Sequence, residues 1–147
     1  MRKEEVGKKK IIVYDFDKTL YDGETGVNFS VFYLKKYPVR SILFMMGYSK
    51  DLIFYLLKII DLRALKERYF EFLDRHSKEE VEELVARFWE TKRHKIYSWT
   101  REELEKNKKE CEMVIVSSAS PLFLIENFLL SLGYDKVFGT NFVNDGK

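Results

Sequence analysis

Hydrophobic positions fall into two recurring patterns along the chain. Ile11 to Tyr14 form a short run with no polar alternation, which predicts a buried strand. From about residue 26 to 109 the apolar positions recur at helical spacing. Leu62, Leu65, Tyr69, Phe72 and Leu73 make one stripe, and Val81, Leu84, Val85, Phe88 and Trp89 make another. Met113 to Val116 is again a short unbroken run, followed by the polar turn Ser117 to Ser120. Leu122, Ile125, Leu129 and Leu132 then share one helical face, and "KVFGTNFV" begins one or two further short strands.

Local signals mark where these elements stop. Ser77 with Glu80, and Thr100 with Glu103, have the spacing of capping boxes. Pro38 breaks the chain near the start of the helical stretch. Ser120 and Pro121 read as the cap and first residue of a helix that Gly133 ends. Strand, helical insert, strand, helix and strand in this order predict an α/β fold with a mostly parallel sheet.

The apolar stretch at residues 41–60 approaches the length of a membrane span, about 20 residues. Ser49, Lys50 and Asp51 interrupt it after Gly47, so it reads as two short helices, buried or interfacial. Bundle core is the expected role of its aromatic residues, with contact to a membrane surface the lesser alternative.

Composition changes the picture little. With 147 residues and 46% apolar content, the chain is long and apolar enough for one folded domain with a real core. A net charge of +2 gives no reason to expect nucleic acid as a partner. Lys8, Lys9 and Lys10 are diluted by Glu4 and Glu5 and read as a solvated terminus. The single cysteine, Cys111, excludes an internal disulfide and reads as a buried structural thiol. A reducing, cytoplasmic setting without a secretory leader is expected.

The candidate chemistry lies where the first strand stops. Asp15 and Asp17 flank Phe16, and residues two apart on a strand point to the same side. At the carboxyl edge of an open α/β sheet, where ligands bind, the two acids would converge. Two carboxylates that close repel each other, and a hard divalent cation such as Mg²⁺ relieves this while bridging to phosphate oxygens. Thr19 is placed to brace the turn or orient an aspartate, and Lys18 is expected to face solvent. His76 and His94 are too isolated for a metal site, and Arg93 and His94 read as solvated helix residues.

"DFDKTL" resembles the first motif of the haloacid dehalogenase-like phosphatases, and "VIVSSASP" resembles their second. The helical stretch between them is similar to the cap of the phosphoserine-phosphatase-like branch. Some bacterial members of that branch act on phosphoserine and some on phosphatidylglycerophosphate. The resemblance implies a Rossmann-like core at residues 1–25 and 110–147, with a helical cap at 26–109. It implies a Mg²⁺-dependent phosphatase acting on a small phosphorylated substrate through an aspartyl-phosphate. Asp15 would be the nucleophile and Asp17 the general acid and base, carrying a proton at neutral pH. The metal would sit on the Asp15 carboxylate and the Asp17 carbonyl. Ser117, with the backbone amide of Ser118, would hold a phosphate oxygen, and Thr19 would join Ser118 in binding the substrate.

The family pattern continues with a lysine and then a Gly-Asp loop, and neither follows here. Asn144, Asp145 and Gly146 read as a hairpin turn with no returning strand, and Lys147 is last. The expectation is a core incomplete at its C-terminus. The competing function is then an inactive module of the same fold that binds a phosphate ligand or a protein partner.

Overall fold

The computed structural model describes residues 10–141, so the expected Asn144–Gly146 turn lies outside the described residues. The elements are β1 (Ile11–Tyr14), α1 (Thr25–Lys36), α2 (Pro38–Leu56), α3 (Leu62–Tyr69), α4 (Lys78–Lys92), α5 (Trp99–Glu110), β2 (Met113–Pro121), α6 (Leu122–Leu132) and β3 (Lys136–Thr140). Short 3-10 turns occupy Glu71–Leu73 and Arg93–Lys95. Two compact units result, one holding the described residues 10–25 and 92–141, the other Gly26–Thr91.

The first unit is built on a parallel three-stranded sheet in the order β1-β2-β3. Ile11 to Tyr14 pair with Met113 to Val116 without a shift. Val114, Val116, Val137, Leu124, Ile125 and Leu129 are buried between the sheet and its helices. Gly133 closes α6 in the left-handed region at φ 107°, as its position predicts. The insert expected at 26–109 extends into α5, yet α5 belongs to the sheet unit. Buried Asn107 explains why, since its Nδ2 donates to the Tyr14 hydroxyl of β1 at 2.7 Å. A polar group that deep holds its element in place because losing the bond would leave it unsatisfied.

Two burial expectations are corrected. Ile11 and Val13 stand 53% and 59% exposed, so β1 is not buried on both faces. The strand lies at the edge of the sheet, and one face is open among the described residues. Cys111, following α5, is half-buried rather than buried.

Burial also sets a pH limit in this unit. Removal from water, with Tyr14 adding to it, pushes the Tyr134 phenol up to about 12 from 10.0. Below pH 10 the phenol is neutral in both states and its stabilising effect is complete. As pH rises through 12, the unfolded chain has already released the proton and folding is penalised until the buried phenol ionises too. Denaturant midpoints should therefore fall across this window in the wild type and fall less in Tyr134→Phe. Equal slopes would show that Tyr134 does not govern alkaline unfolding.

The second unit is helical and aromatic. Phe29, wholly buried, makes ring contacts with Phe32, Phe72 and Phe88, and Tyr33 packs on Phe72 at 4.4 Å between centroids. Leu84, Val85, Phe88 and Trp89 are buried on α4, which is the expected second stripe. Ser77 and Glu80 form a reciprocal capping box at 3.3 and 2.8 Å. Thr100 and Glu103 do not. Thr100 donates to the Tyr97 carbonyl instead, and Glu103 accepts from Asn107. The stretch expected as two short helices is one, α2, running unbroken through Ser49–Asp51. An ion pair between Asp51 and Arg68 of α3 explains how the acid is accommodated. His76 places one ring nitrogen 2.9 Å from the Tyr33 hydroxyl and the other 3.5 Å from Glu80.

Candidate active site

At its carboxyl end β1 turns at once. The amides of Thr19, Leu20 and Tyr21 all donate to the Phe16 carbonyl, and Lys18 returns a bond to the Tyr21 carbonyl at 2.8 Å. Closing so tight a turn puts Lys18 at φ 63°, a left-handed conformation costing on the order of 1 kcal/mol. Phe16 and Tyr21 stack on each other, fully buried, and anchor the loop. Lys95 clamps it from outside, its ammonium donating to the Asp22 carbonyl while the Asp22 amide donates back. The two acids thereby sit on a hydrogen-bonded loop with a buried aromatic base.

Asp15 is exposed, and Thr19 Oγ1 donates to its Oδ2 at 2.9 Å, the bracing role expected of that threonine. Asp17 has a different setting. Its Oδ1 accepts from the backbone amide of Thr25 at 3.0 Å and from the Thr25 hydroxyl. Its Oδ2 accepts from Ser120 Oγ at 2.5 Å. Since Thr25 opens α1, Asp17 also places its charge at a helix N-terminus, where unpaired amides favour an acid.

Ser120 reaches Asp17 because β2 bulges. Ser117 pairs with Phe138 and Pro121 with Thr140, so four steps on β2 match two on β3. Within the bulge the Ser120 amide donates to Ser118 Oγ at 3.1 Å, and Thr140 holds the Ala119 carbonyl at 2.8 Å. The helix cap expected of Ser120 is thus corrected. Pro121 ends the strand, α6 starts at Leu122, and the serine is spent on the aspartate.

Ser117 is exposed at the same strand edge. Tyr14 pairs with Val116, and one residue beyond each come Asp15 and Ser117. The Ser117 hydroxyl makes no hydrogen bond among the described residues. Lys18 is exposed and paired with Glu24, whose hydrogen bond and charge hold the ammonium above its usual range. Arg93 and His94 are exposed on their 3-10 turn. Asp15 with Thr19, and Asp17 with Thr25, Ser118 and Ser120, are the groups the fold connects. Thr25 was not singled out by its sequence. Its only signal there was a hydroxyl just ahead of the helical stretch, a common enough feature to carry no chemistry.

The donor set suits a hard cation. The Asp15 carboxylate faces solvent, and the backbone bonds of the turn end on the Phe16 and Tyr21 carbonyls without using that of Asp17. Both are oxygen ligands, as Mg²⁺ requires. No group of three or more His, Cys, Asp or Glu side chains able to hold a metal occurs among the described residues.

Close packing supports the Ser120 turn. A Cβ on Gly139 would lie 2.8 Å from the Ser120 carbonyl oxygen and 2.9 Å from Leu122 Cα, both backbone atoms that cannot rotate away. Gly139→Ala should cost about 1–3 kcal/mol, read as a lower denaturant midpoint, because the turn must shift. An unchanged midpoint would mean that the turn yields freely and does not fix Ser120.

A family model described as haloacid dehalogenase-like hydrolase matches residues 12–147. Among solved structures, a protein of unknown function from Bordetella pertussis Tohama I superposes with a TM-score of 0.73 at 13% identity, over 90% of this chain and 61% of that one. A phosphoserine phosphohydrolase-like protein from Francisella tularensis subsp. tularensis SCHU S4 gives 0.53 at 16% identity, over 89% and 57%. A substrate-bound phosphoserine phosphatase gives 0.56 at 20%, over 95% and 60%. These likenesses concern the fold, and the chain spans about three fifths of the length of those structures. No curated protein gives a significant match.

Proposed function

The chain belongs to the haloacid dehalogenase-like hydrolases, and from that premise we propose that it is the site-bearing part of a Mg²⁺-dependent phosphomonoester phosphatase. The observation that carries this reading is the unequal setting of the two acids. Asp15 is open to solvent and braced by one threonine, as a nucleophile must be. Asp17 is enclosed by hydroxyls that can hand protons on or receive them.

In the proposed reaction an Asp15 carboxylate oxygen attacks phosphorus and the bond from phosphorus to the leaving oxygen breaks. Asp17 gives its proton to that oxygen. A water then attacks the aspartyl-phosphate, Asp17 takes the water's proton, and inorganic phosphate leaves with Asp15 regenerated. When Asp17 carries its proton, the new O–H needs an acceptor. The Thr25 and Ser120 hydroxyls can rotate from donating to accepting, whereas the Thr25 amide cannot. Ser117, with the Ser118 amide, would bind a non-bridging phosphate oxygen at the rim of the sheet. Mg²⁺ on the Asp15 carboxylate and the Asp17 carbonyl would supply charge neutralisation for the phosphoryl oxygens. The substrate class is a small phosphomonoester, with a phosphoserine-like compound or a lipid-linked phosphate as the two candidates from the family resemblance. A cytoplasmic setting accords with the single cysteine.

The test follows aryl phosphate hydrolysis with Mg²⁺ and after chelation, alongside calorimetry with inorganic phosphate. Turnover lost on chelation is the expected result. Phosphate binding without turnover in any length of the chain would favour the non-catalytic binding module instead.

A further inference from the structure

The helix α2 is packed with its apolar side outward. Its inward side carries Ser41, Phe44, Tyr48, Asp51 and Tyr55, all buried or half-buried. The opposite stripe is Val39, Ile42, Leu43, Met46 and Ile53, spaced as one helical face, and each is more than half exposed. Leu57 and Ile59, at 64% each, continue the apolar surface past the helix end. Scattered exposed leucines need no explanation, but an apolar stripe from Val39 to Ile53 along one face of a 19-residue helix, with Lys50 set in it, does.

Charge narrows the occupant. Between residues 35 and 59 the ionised side chains are Lys35, Lys36, Arg40, Lys50, Lys58 and a single acid, Asp51. That acid is already paired with Arg68, while the five cations are exposed. A second copy of the chain fits poorly. Self-pairing of this face would bury Lys50, set within the stripe, with no unpaired acid on the stretch 35–59 to meet it. An anionic lipid surface suits every part, because lysine stems lie along apolar surface and carry the ammonium up to headgroup phosphates. No described helix is long and apolar enough to cross a membrane, so the helix would lie on the bilayer.

We propose that the outward face of α2 is a docking surface for an anionic phospholipid bilayer. The stripe from Val39 to Ile53 enters the acyl region and the flanking lysines and Arg40 meet the headgroups. The proposal stands apart from the catalytic reading and is tested apart from it.

The experiment is co-sedimentation of the 147-residue chain with vesicles of equal parts phosphatidylcholine and phosphatidylglycerol, and with vesicles of phosphatidylcholine alone. Binding to the mixed vesicles should exceed binding to the neutral ones by about tenfold or more and weaken as salt is raised. The double variant Ile42→Glu, Met46→Glu should lose more than about tenfold in binding while keeping its helical circular dichroism. Should that variant unfold, Lys50→Glu with Lys58→Glu serves instead, and it should lose the preference for anionic vesicles. Asp15→Asn should bind as the wild type does, which separates this outcome from any failure of catalysis. Absence of binding to either vesicle, full binding by a folded double variant, or a dimer in sedimentation velocity that the double variant dissociates would each overturn the proposal.

Discussion

Asp15→Asn is expected to remove turnover of every phosphomonoester tested, by about 1000-fold or more, without unfolding the protein. The amide has the size of the carboxylate, and its oxygen can still accept the Thr19 hydroxyl now at 2.9 Å. Asp15 is exposed, so the change in stability should stay within about 0.5 kcal/mol. What disappears is the anionic oxygen that forms the covalent bond. The loss should therefore be the same for a good and a poor leaving group, and no phosphorylated protein should be trapped on rapid quenching. Turnover by the variant equal to that of the wild type would take Asp15 out of the mechanism.

Asp17→Asn should behave differently, and the difference is the diagnostic feature. General acid catalysis is worth about 10²–10⁴-fold, and it matters most where the departing oxygen is strongly basic. An alkyl phosphate should lose most of that range. A nitrophenyl phosphate, whose leaving group departs without a proton, should lose much less in the first step. A structural cost accompanies this one. The Asp17 oxygens accept from Thr25 and Ser120; an amide nitrogen in place of Oδ1 faces the fixed Thr25 amide donor to donor, and one in place of Oδ2 makes the Ser120 hydroxyl turn to accept. Comparing the two substrates in one variant separates the chemical effect from the structural one, because damage to the site lowers both equally. An equal loss on both would refute the acid role and leave Asp17 a positioning residue.

Legibility in the sequence varied with the range of the physics involved. The "DFDKTL" turn was readable as the end of a strand because the apolar run and the acids that stop it lie within a few residues of each other. The capping box at Ser77 and Glu80 was readable for the same reason, since its partners are three residues apart. The box at Thr100 and Glu103 had identical spacing and did not form. There a distant partner decided the matter, through Asn107 and the Tyr14 hydroxyl. The break expected at Ser49–Asp51 failed likewise, because Arg68 on another helix accommodates the acid that local polarity marked as a breaker.

Local sequence determined the kind of element, the parallel order of strands that brackets a helical insert, and the two carboxylates at the strand's end. Hydrophobic period and backbone preference act over a few residues and leave their mark in the order of the letters. Only the tertiary structure decided that Ser120 serves Asp17 rather than a helix, that Thr25 closes the same carboxylate, and that α2 turns its apolar side outward. Those outcomes depend on a bulge in one strand, the close approach of a glycine in another, and which face of a helix its neighbours occupy. Each is a contact between residues far apart in the chain, whose energy comes from meeting in space and leaves no periodic trace.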